Sequence, residues 1–446
     1  MTRAPAAVAL ADQLRPPRGV LDVASRLERE GYEAWCVGGA VRDALLGHPS
    51  LDWDVATSAT PAVVQRLFRR TVPKGVEFGT VGVFDRDGVL HEVTTFRRDV
   101  QTDGRHAVVE FGASLVDDLA RRDFTINAIA YRPATGEIAD PFDGAGDAAR
   151  RVVRAVGDAG TRMREDRLRA LRAIRFASRF AFAIEPATWA AIVESAPSLT
   201  RLSPERVHDE LDKLMRQVRC PSEALRCWRD AGALAVLVPA LATQPDVALA
   251  TADYVSPPTL PGRPQRLPNR LAAPWLGVAR ADVERGLRAL RASNHEVRWT
   301  ADITDRAGRL LDRVRVALVA AASPTDAELR RWAADCGRTL AAPSFRLIAA
   351  RFAAERARDA TPGGPSTPAA ERVRSTYRRL VRIAFRDPIE LADLAVSGSD
   401  LAGAGVPAGP AVGATLRRLL DAVVDDPTRN TRAWLLARAA ELAREG

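Results

Sequence analysis

The sequence of 446 residues is poor in lysine and cysteine. Among 65 basic residues only Lys74 and Lys213 are lysines, so nearly all of the positive charge is arginine. The four cysteines are Cys36, Cys220, Cys227 and Cys336. They are scattered along the chain without the close spacing of metal ligands, so a metal site built on them is excluded. A reduced, cytoplasmic protein is predicted.

Long apolar runs are also missing. No segment approaches the roughly 18 consecutive apolar residues of a membrane span, so no membrane association is predicted. The apolar run at 4–11 is short and is followed by Asp12, which argues against a signal peptide.

Length and charge set further bounds. A chain of 446 residues is too long for one compact core and predicts two to four domains. The formal net charge of +9 and the sequence pI of about 10.1 favour an anionic partner such as nucleic acid. The alternative is a compositional bias, because alanine and arginine are abundant throughout, as a GC-rich genome would produce.

The pattern of apolar residues divides the chain into two kinds of structure. Up to about residue 150, short apolar strands alternate with turns and helices, and the runs at 80–84 and 89–96 flank a turn sequence, which predicts a hairpin. Beyond about residue 155, amphipathic helical segments follow one another. Stretches rich in proline and glycine at 255–270 and 360–368 predict loops or linkers. The expected fold class is an α+β head followed by a long all-helical arm.

The most informative motif is a glycine pair followed by two aspartates. A predicted strand leads through Gly38 and Gly39 into a predicted helix at 41–46, and Asp52 and Asp54 follow at strand spacing. Alternate residues of a strand share a face, so the two carboxylates are expected to project together. Beside a glycine turn whose backbone N–H groups are open, they suit Mg²⁺ and a triphosphate. The order of these elements predicts nucleotidyl transfer, although a tight turn and a solvated strand edge are the ordinary alternatives for each half.

Glu92 is a charged residue in the second strand of the predicted hairpin, which otherwise suits a core. If this strand lies beside the one that carries Asp54, Glu92 becomes the third carboxylate of a metal cluster. A two-metal site there would stabilise both the attacking hydroxyl oxygen and the leaving pyrophosphate oxygen. A glutamate on an edge strand that faces water is the alternative.

The stretch 121–128 offers groups for a ribose or a phosphate. It contains Arg122, Asp123 and Asn127. Arginine binds phosphate oxygens bidentately, which favours a nucleotide contact. A charge cluster at a helix start, with Asn127 capping a turn, is the alternative.

A row of charged residues follows on a helix that residues 164–169 are expected to open. The row consists of Asp166, Arg169, Arg172 and Arg175, beside an apolar row of Leu168, Leu171 and Ile174. An aspartate accepts a hydrogen bond from an exocyclic amine and an arginine donates to ring acceptors. Such a pair reads cytosine or adenine and rejects guanine and uracil. A solvated helix face is the alternative.

Taken together, these motifs resemble those of the bacterial (class II) tRNA nucleotidyltransferases. This group comprises the CCA-adding enzymes and their poly(A) polymerase relatives, within the polymerase β-like superfamily. The resemblance rests on seven stretches that occur in the family's order and cover about 33–215. They are 37–43, 52–54, 78–81, 92–97, 121–128, 165–169 and 203–211.

The resemblance implies a role for each matched residue. The residues implied to bind the nucleotide are Gly38, Gly39, Arg42, Arg122, Asp123, Asn127, Asp166, Arg169, Arg172 and Arg175. Within this set, Gly39 and Arg42 would contact the triphosphate. Asp52 and Asp54 would hold Mg²⁺, and Glu92 would support them as the third catalytic carboxylate.

The resemblance also implies how base and primer are chosen. Asp166 and Arg169 would template CTP and ATP, so that no nucleic-acid template is needed, while Arg122 and Asp123 would bind the sugar-phosphate. The helical arm would correspond to the family's neck, body and tail, which cradle the acceptor and T-arm of tRNA. The implied domains are a head at 1–152, a neck at 153–220, a body at 221–360 and a tail at 361–446.

Three further stretches bear on the product. The loop at 103–106 corresponds to the flexible element with which the family switches from C to A, which favours activity that includes A-addition; an ordinary surface loop is the alternative. The stretch 74–80 lacks the basic, aromatic character usual in poly(A) polymerases, which favours tRNA as substrate. Some members of the family carry a C-terminal HD-type phosphohydrolase domain. The only His-Asp pair of this sequence, His208-Asp209, lies inside a matched stretch, so no hydrolase activity is predicted.

The leading hypothesis is a cytoplasmic CTP/ATP:tRNA nucleotidyltransferase that uses Mg²⁺ and builds or repairs the 3′ CCA end of tRNA. No protein partner is predicted. An enzyme that adds only CC or only A, a poly(A) polymerase, and a non-catalytic RNA-binding protein on a decayed transferase scaffold are the alternatives. The acidic trio argues against the last, because a binder gains nothing from three carboxylates near an RNA phosphate.

Overall fold

The computed structural model describes residues 13–48, 52–102, 107–256, 266–358 and 367–445. The apolar run at 4–11, the loop at 103–106 and most of both predicted linkers lie outside these ranges. The chain divides into two compact units. Unit 1 comprises residues 1–210 and 230–236, and unit 2 comprises 211–229 and 237–446. The finer division into head, neck, body and tail stays a prediction.

Unit 1 contains the strands. They are β1 (Ala34–Val37), β2 (Asp54–Thr57), β3 (Thr71–Pro73), β4 (Thr80–Phe84), β5 (Leu90–Thr95), β6 (Arg97–Thr102), β7 (Ala107–Phe111), β8 (Ala130–Arg132), β9 (Glu137–Ala139), β10 (Val152–Val153) and β11 (Ala183–Ile184). Seven of them form one mixed sheet in the order β3-β4-β5-β2-β1-β8-β9. β4 and β5 pair antiparallel, as the hairpin prediction requires.

The centre of the sheet brings the predicted acidic residues together. β2 pairs antiparallel with β1 and parallel with β5, and the register places Val55 opposite Val93. The preceding residues, Asp54 and Glu92, therefore stand at the same level of neighbouring strands. This confirms that the strand of Glu92 lies beside the strand of Asp54.

The sheet is covered on both faces, which explains why every residue of β1 is buried. Ala34 and Cys36 enter one apolar core, and the alternate residues Trp35 and Val37 enter another. Burial raises the pKa of the Cys36 thiol to about 12, so this cysteine behaves as a small core residue.

The helices of unit 1 surround this sheet. They are α1 (Arg18–Arg29), α2 (Gly39–Leu45), α3 (Pro61–Leu67), α4 (Leu115–Ala120), α5 (Gly144–Arg150), α6 (Ala159–Glu165), α7 (Leu168–Phe180), α8 (Pro186–Ser195) and α9 (Pro204–Gln217), of which the last continues into unit 2. The predicted apolar row of α7 is buried. The predicted helix start is wrong, however, because 164 and 165 end α6. α7 begins only at Leu168, whose N–H donates to Asp166 Oδ1 at 3.1 Å.

The rest of the described chain is helical. Its α-helices are α10 (Pro221–Asp230), α11 (Ala233–Leu237), α12 (Pro239–Ala242), α13 (Asp246–Ala250), α14 (Arg266–Ala272), α15 (Arg280–Ala289), α16 (Asn294–Val319), α17 (Asp326–Cys336), α18 (Arg338–Arg358), α19 (Ala370–Arg386), α20 (Gly398–Gly403), α21 (Pro410–Asp425) and α22 (Arg432–Glu445). Within the described ranges no helix has the length and apolar composition that a bilayer crossing requires.

One buried arginine closes the end of α9. The Arg270 guanidinium, on α14, has no exposed surface. It donates to the carbonyl oxygens of Met215 at 2.5 Å and Arg219 at 2.6 Å, and to Ala252 at 3.3 Å. The last carbonyls of a helix lack partners within it, so Arg270 supplies donors that α9 cannot provide.

Candidate active site

The glycine turn forms as predicted, between β1 and α2. Gly38 has a φ of 76°, in the left-handed region that glycine adopts without strain. A Cβ atom at this position would also lie 3.0 Å from Arg122 Nη1. Glycine is therefore required both by the backbone conformation and by the close approach of a guanidinium.

The carboxyl group of Asp54 belongs to an acidic edge that it forms with Asp52 and Glu92. Its pKa is raised to about 7, first by burial and then by the negative charges of Glu92 and Asp52. Asp52 is exposed and precedes β2, while Trp53 between them is buried in the core. The three carboxylates are thus close enough for their charges to oppose one another.

The metal role of the three carboxylates stays a prediction. Among the residues that the structure describes, no three His, Cys, Asp or Glu side chains are arranged to hold a metal ion. Lys74 Nζ lies 2.6 Å from Glu92 Oε1. This hydrogen bond raises the pKa of the Lys74 ammonium group.

A cleft of about 510 Å³ opens beside this edge, entirely within unit 1. Its lining includes eleven of the thirteen predicted site residues, namely Gly38, Gly39, Arg42, Asp54, Glu92, Arg122, Asp123, Asn127, Asp166, Arg169 and Arg172. Asp52 and Arg175 do not line it. The sequence therefore identified most of the wall of this cleft, while the roles of the residues stay predictions.

Arg42 is buried, and all three of its nitrogens donate within the protein. Nε and Nη2 bond to Asp43 Oδ1 at 2.8 and 2.6 Å, and Nη1 bonds to Asn127 Oδ1 at 2.5 Å. Burial lowers the pKa of Arg42, although the charge of Asp43 opposes this effect. The guanidinium is committed to holding the glycine turn against Asn127, which leaves less of it for a phosphate than the resemblance implies.

Arg122 is the guanidinium that faces the glycine turn. Its Nη2 donates to Asp118 Oδ2 at 3.1 Å, and Asp118 also accepts a 2.6 Å bond from Arg121. Burial opposes ionisation of Asp118, but the charges of Arg121 and Arg122 hold its pKa below the usual range. Asp118 thus fixes both arginines with one buried carboxylate.

Asp123 links the cleft floor to α7. Its Oδ2 accepts two bonds from Arg172, at 2.9 and 2.7 Å, and its Oδ1 accepts a bond from Asn127 Nδ2 at 2.8 Å. Burial raises the pKa of Asp123, but the charge of Arg172 and these hydrogen bonds outweigh burial and lower it to about 2. The hydrogen bonds of Asp123 and the bond from Arg42 to Asn127 form a continuous chain from the glycine turn to α7.

The two residues expected to read the base are both held in place. Asp166 Oδ2 accepts a 2.8 Å bond from Arg206 of α9. Arg169 Nη1 donates to Glu165 Oε2 at 2.7 Å, and its Nη2 donates to the carbonyl of Arg121 at 3.0 Å. Side chains fixed in this way present a defined pattern of acceptors and donors to the cleft.

The predicted row is wrong at its last member, because Arg175 does not line the cleft. An i, i+3 row turns by about 60° at each step, since three residues at 3.6 per turn fall short of a full turn. Two steps beyond Arg169, the Arg175 side chain points into the interior and pairs with Glu210, which is fully buried. The ion pair joins α7 to α9.

Several residues of this site were missed or left without a role by the sequence analysis. Asp118 precedes Arg121 and Arg122 at i+3 and i+4 spacing, a pattern that predicts such a pairing on a helix. Asp147 is buried and accepts bonds from Thr125 at 2.6 Å and from two arginines that follow it. The pairing of Lys74 with Glu92 has no local signal, because the register of three strands brings the two together.

The arrangement combines an acidic edge, a row of fixed guanidiniums and a fixed acceptor–donor pair. Neighbouring carboxylates whose charges oppose one another favour a cation. Guanidiniums in the same cleft favour phosphate oxygens. The cleft therefore suits a nucleoside triphosphate whose base lies toward α7.

Two family models and several curated proteins match this chain. The family described as "Poly A polymerase head domain" matches residues 34–154, and the one described as "Probable RNA and SrmB- binding site of polymerase A" matches 181–244. The CCA-adding enzyme of Geobacillus kaustophilus is 37% identical over 439 residues, which cover 95% of this chain and 98% of that enzyme. The CCA-adding enzyme of Geobacillus stearothermophilus is 36% identical over 438 residues, with 95% and 98% covered.

Solved structures give the same result. The crystal structure of the Bacillus stearothermophilus CCA-adding enzyme in complex with CTP is similar with a TM-score of 0.66 and 32% identity, over 97% of this chain and 99% of that one. The Thermotoga maritima CCA-adding enzyme complexed with tRNA has a TM-score of 0.63 at 20% identity, over 99% and 98%. The second likeness concerns the fold alone.

Proposed function

Since the chain belongs to the family of CCA-adding enzymes, the CCA tRNA nucleotidyltransferases, we propose that it adds C and A from CTP and ATP to the 3′ end of tRNA without a nucleic-acid template. The observation that carries the proposal is the single cleft in which the acidic edge of Asp54 and Glu92 faces Asp166 and Arg169. The terminal 3′-hydroxyl of the tRNA attacks the α-phosphate, and pyrophosphate leaves.

Enzymes of this family generally use a divalent metal. We assign Mg²⁺ to Asp52 and Asp54, with Glu92 in support. The residues fit such an ion, because the donors are hard carboxylate oxygens, and because burial and then the charges of Glu92 and Asp52 raise the pKa of Asp54. When bound there, Mg²⁺ would supply the positive charge that favours ionisation of the 3′-hydroxyl and stabilises the leaving oxygen.

The triphosphate and the sugar are assigned to the glycine turn and the 121–128 stretch. Gly38 and Gly39 let the phosphates approach the backbone, and Arg122 faces the same turn. Asp123 stays ionised and offers an acceptor near the sugar, and it keeps Asn127 oriented. Arg42 lines the same cleft, and three of its five N–H groups donate to Asp43 and Asn127.

Base choice is assigned to Asp166 and Arg169. The Asp166 carboxylate accepts from the exocyclic amine of cytosine or adenine, and Arg169 donates to the adjacent ring nitrogen. Guanine and uracil present a carbonyl where the amine is needed, so they leave the carboxylate without a donor. Arg172 lines the same pocket and is held by Asp123.

The tRNA partner is assigned, in unit 2, to a surface of α19 that we call the arginine row. It consists of Arg374, Arg378, Arg382 and Arg386, all exposed, with the exposed Phe385 beside the last of them. The i, i+4 spacing places successive Cα atoms about 6 Å apart along the helix. Like charges at this spacing disfavour the helix slightly, and a bound anion would offset that cost.

The composition of the arginine row favours RNA as that anion. A line of cations follows a phosphate backbone, and an exposed aromatic ring stacks on an unpaired base. A groove of about 440 Å³ that includes Phe385, Arg386 and Arg338 adjoins the end of the row. The proposed helical neck, body and tail would then present this surface to tRNA, in the cytoplasm.

Incorporation on three tRNA substrates tests the proposal. The purified protein receives tRNA ending in the discriminator base, in C or in CC, with CTP and ATP supplied separately. CTP is expected to extend the first two substrates, and ATP is expected to add a single A to the third. Absence of any extension would overturn the proposed function.

The same experiment separates the enzymatic alternatives. If CTP extends the tRNA but ATP extends none of the three substrates, the protein is a CC-adding enzyme. If only the CC-ending substrate is extended, and only with ATP, the protein is an A-adding enzyme. A generic RNA with ATP alone completes the set, because long tails there would identify a poly(A) polymerase.

A further inference from the structure

Phe176, on α7, is surrounded by cations. The guanidinium carbons of Arg42, Arg172 and Arg175 lie 4.7, 5.4 and 4.2 Å from the centroid of its ring. A guanidinium within about 6 Å of an aromatic face is attracted by the ring quadrupole, more strongly where water is excluded. Phe176 is buried. One neutral side chain therefore attracts three charged ones.

The ring itself is held from two sides. Phe124 packs edge-on against Phe176 with ring centroids 5.9 Å apart, and Phe180 stacks at 6.3 Å. Phe180 also receives the guanidinium of Arg42, at 4.9 Å, so that Arg42 reaches both rings. The position of Phe176 is thus determined by aromatic packing, independently of the charges around it.

Each of the three guanidiniums pairs with a different carboxylate. The pairs are Arg42 with Asp43, Arg172 with Asp123 and Arg175 with Glu210, and Asp43 also accepts a bond from Arg179 at 2.9 Å. These pairs offset much of the positive charge, but they do not set the distance between one guanidinium and the next. The arginines repel one another, and Arg172 adds to the effect of burial in lowering the pKa of Arg175. The ring is the attractive group that all three share.

The ring position reaches the base-reading part of the cleft through Arg172. Phe176 and Arg172 both line the cleft, and the two bonds from Arg172 to Asp123 form the end of the chain that runs through Asn127 to Arg42. A change in the attraction between Phe176 and the guanidiniums therefore alters the glycine turn and the α7 wall together.

From this geometry we propose that Phe176 is a specificity-positioning residue. Its π face fixes three guanidiniums in one arrangement, and the discrimination between CTP and GTP depends on that arrangement. The inference rests on the proposed function and deepens it, because it names a residue that sets base choice through other side chains.

The test weakens the π face while the shape of the side chain is kept. Phe176 is replaced, by site-specific incorporation, with phenylalanine that carries one, two or three ring fluorines, which withdraw electron density from the face. The ratio of the dissociation constants of GTP and CTP is measured by calorimetry without tRNA, and the ratio of kcat/KM values is measured with tRNA. The ratios are expected to fall stepwise with each fluorine, to a total of about three- to thirtyfold.

A matched control separates this effect from the general consequences of a fluorinated core. Phe345, in unit 2, is fully buried and stacks on Trp332 with centroids 6.0 Å apart. The same series at Phe345 is expected to leave both ratios unchanged. Phe176→Leu, a replacement by a standard amino acid, removes the ring altogether and is expected to give the largest loss of discrimination between CTP and GTP.

One outcome would contradict the inference about Phe176, and another would contradict the proposed function. If both ratios stay constant through the fluorine series while Phe176→Leu only lowers the melting temperature, the ring acts by packing alone and the inference fails. If the unmodified protein extends no tRNA, the proposed function fails, and the calorimetric ratio still decides whether the ring sets nucleotide preference.

Discussion

Asp54 and Glu92 stand at the same level of two parallel strands, and the charge of Glu92 helps to raise the pKa of Asp54 to about 7. Burial is the larger cause, and Asp52 adds to it. A carboxyl with such a pKa is partly protonated at neutral pH in the metal-free protein. A cation bound beside this carboxyl would lower the cost of ionising it.

The first prediction concerns this cost. The carboxyl has a pKa of 3.8 in its ordinary state and about 7 in the fold, so the folded protein retains a proton that the unfolded chain releases between these values. The contribution of the Asp54 carboxyl to the free energy of unfolding is fully present below pH 3.8 and is lost as the pH rises to about 7. Asp54→Asn is expected to raise the free energy of unfolding of the metal-free protein at about pH 8 by about 1–3 kcal/mol.

Denaturant unfolding at about pH 4 and pH 8, with a chelator present, measures this effect. The difference between Asp54→Asn and the unmodified protein should grow with pH. An equal difference at both pH values would contradict the assignment of the raised pKa to Asp54.

The second prediction separates chemistry from folding at Asp52. This residue is exposed and precedes β2, so Asp52→Ala is expected to leave the melting temperature unchanged. Incorporation of C into tRNA should fall by about 10²–10³-fold or more, as for the loss of a preorganised electrostatic group. Single-turnover kinetics measure the loss, and Asp87→Asn, at the exposed tip of the β4–β5 hairpin, is the control. Retained turnover in Asp52→Ala would refute the metal assignment.

The third prediction concerns base choice. Asp166→Ala removes the proposed acceptor for the exocyclic amine and releases Arg206. Incorporation of G and U relative to C is expected to rise about tenfold or more. An assay with the four nucleotides supplied separately measures this ratio, with Asp209→Asn, exposed on α9, as the control. A uniform loss of rate with unchanged base preference would show that Asp166 only supports the fold.

The fourth prediction concerns the arginine row of α19. Replacement of Arg374, Arg378 and Arg382 by glutamine should weaken tRNA binding. The logarithm of the association constant should also fall less steeply with the logarithm of the salt concentration, by about 2–3 in slope, one for each phosphate contact. Filter binding at several salt concentrations measures the slope. Binding of CTP alone should not change.

A charge-matched variant controls for the fourth prediction. Arg285, Arg288 and Arg309 each pair with a carboxylate of their own helix, so their replacement by glutamine changes the net charge equally without touching the row. The same reduction of slope in both triple variants would attribute the effect to net charge and not to the row.

The fifth prediction concerns the ion pair between Arg175 and Glu210. Glu210 has no exposed surface, so Glu210→Gln leaves a buried guanidinium without its counter-charge. A loss of about 3–5 kcal/mol in the free energy of unfolding is expected. The double substitution Arg175→Met, Glu210→Gln should recover part of it, which chemical denaturation measures. A larger loss in the double variant would contradict the ion-pair account.

The head was predictable from the sequence because its signals are local. The glycine turn, the β4–β5 hairpin and the buried row of α7 each depend on residues within a few positions of one another. The alternation of β1 between two apolar cores likewise follows from strand periodicity. The start of α7 was misplaced since Asp166 interrupts a run of residues that all favour helix.

The interior of the cleft was less predictable, because its contacts join distant parts of the chain. The bond from Arg42 to Asn127 spans 85 positions, and the bonds from Arg172 to Asp123 span 49. Residue types suggested that these groups bind a nucleotide. They did not indicate that the same groups first bind one another, or that Phe176 would stand between them.

Arg270 has a consequence for the order in which the molecule is completed. The carbonyls of Met215 and Arg219 receive their donors from a residue that the ribosome adds more than fifty positions later. Until then the end of α9 remains unfinished, although the residues of the cleft have all been synthesised. A nascent chain released before Arg270 would therefore contain every residue that lines the cleft, but the helix that carries Arg206 would lack these donors at its end.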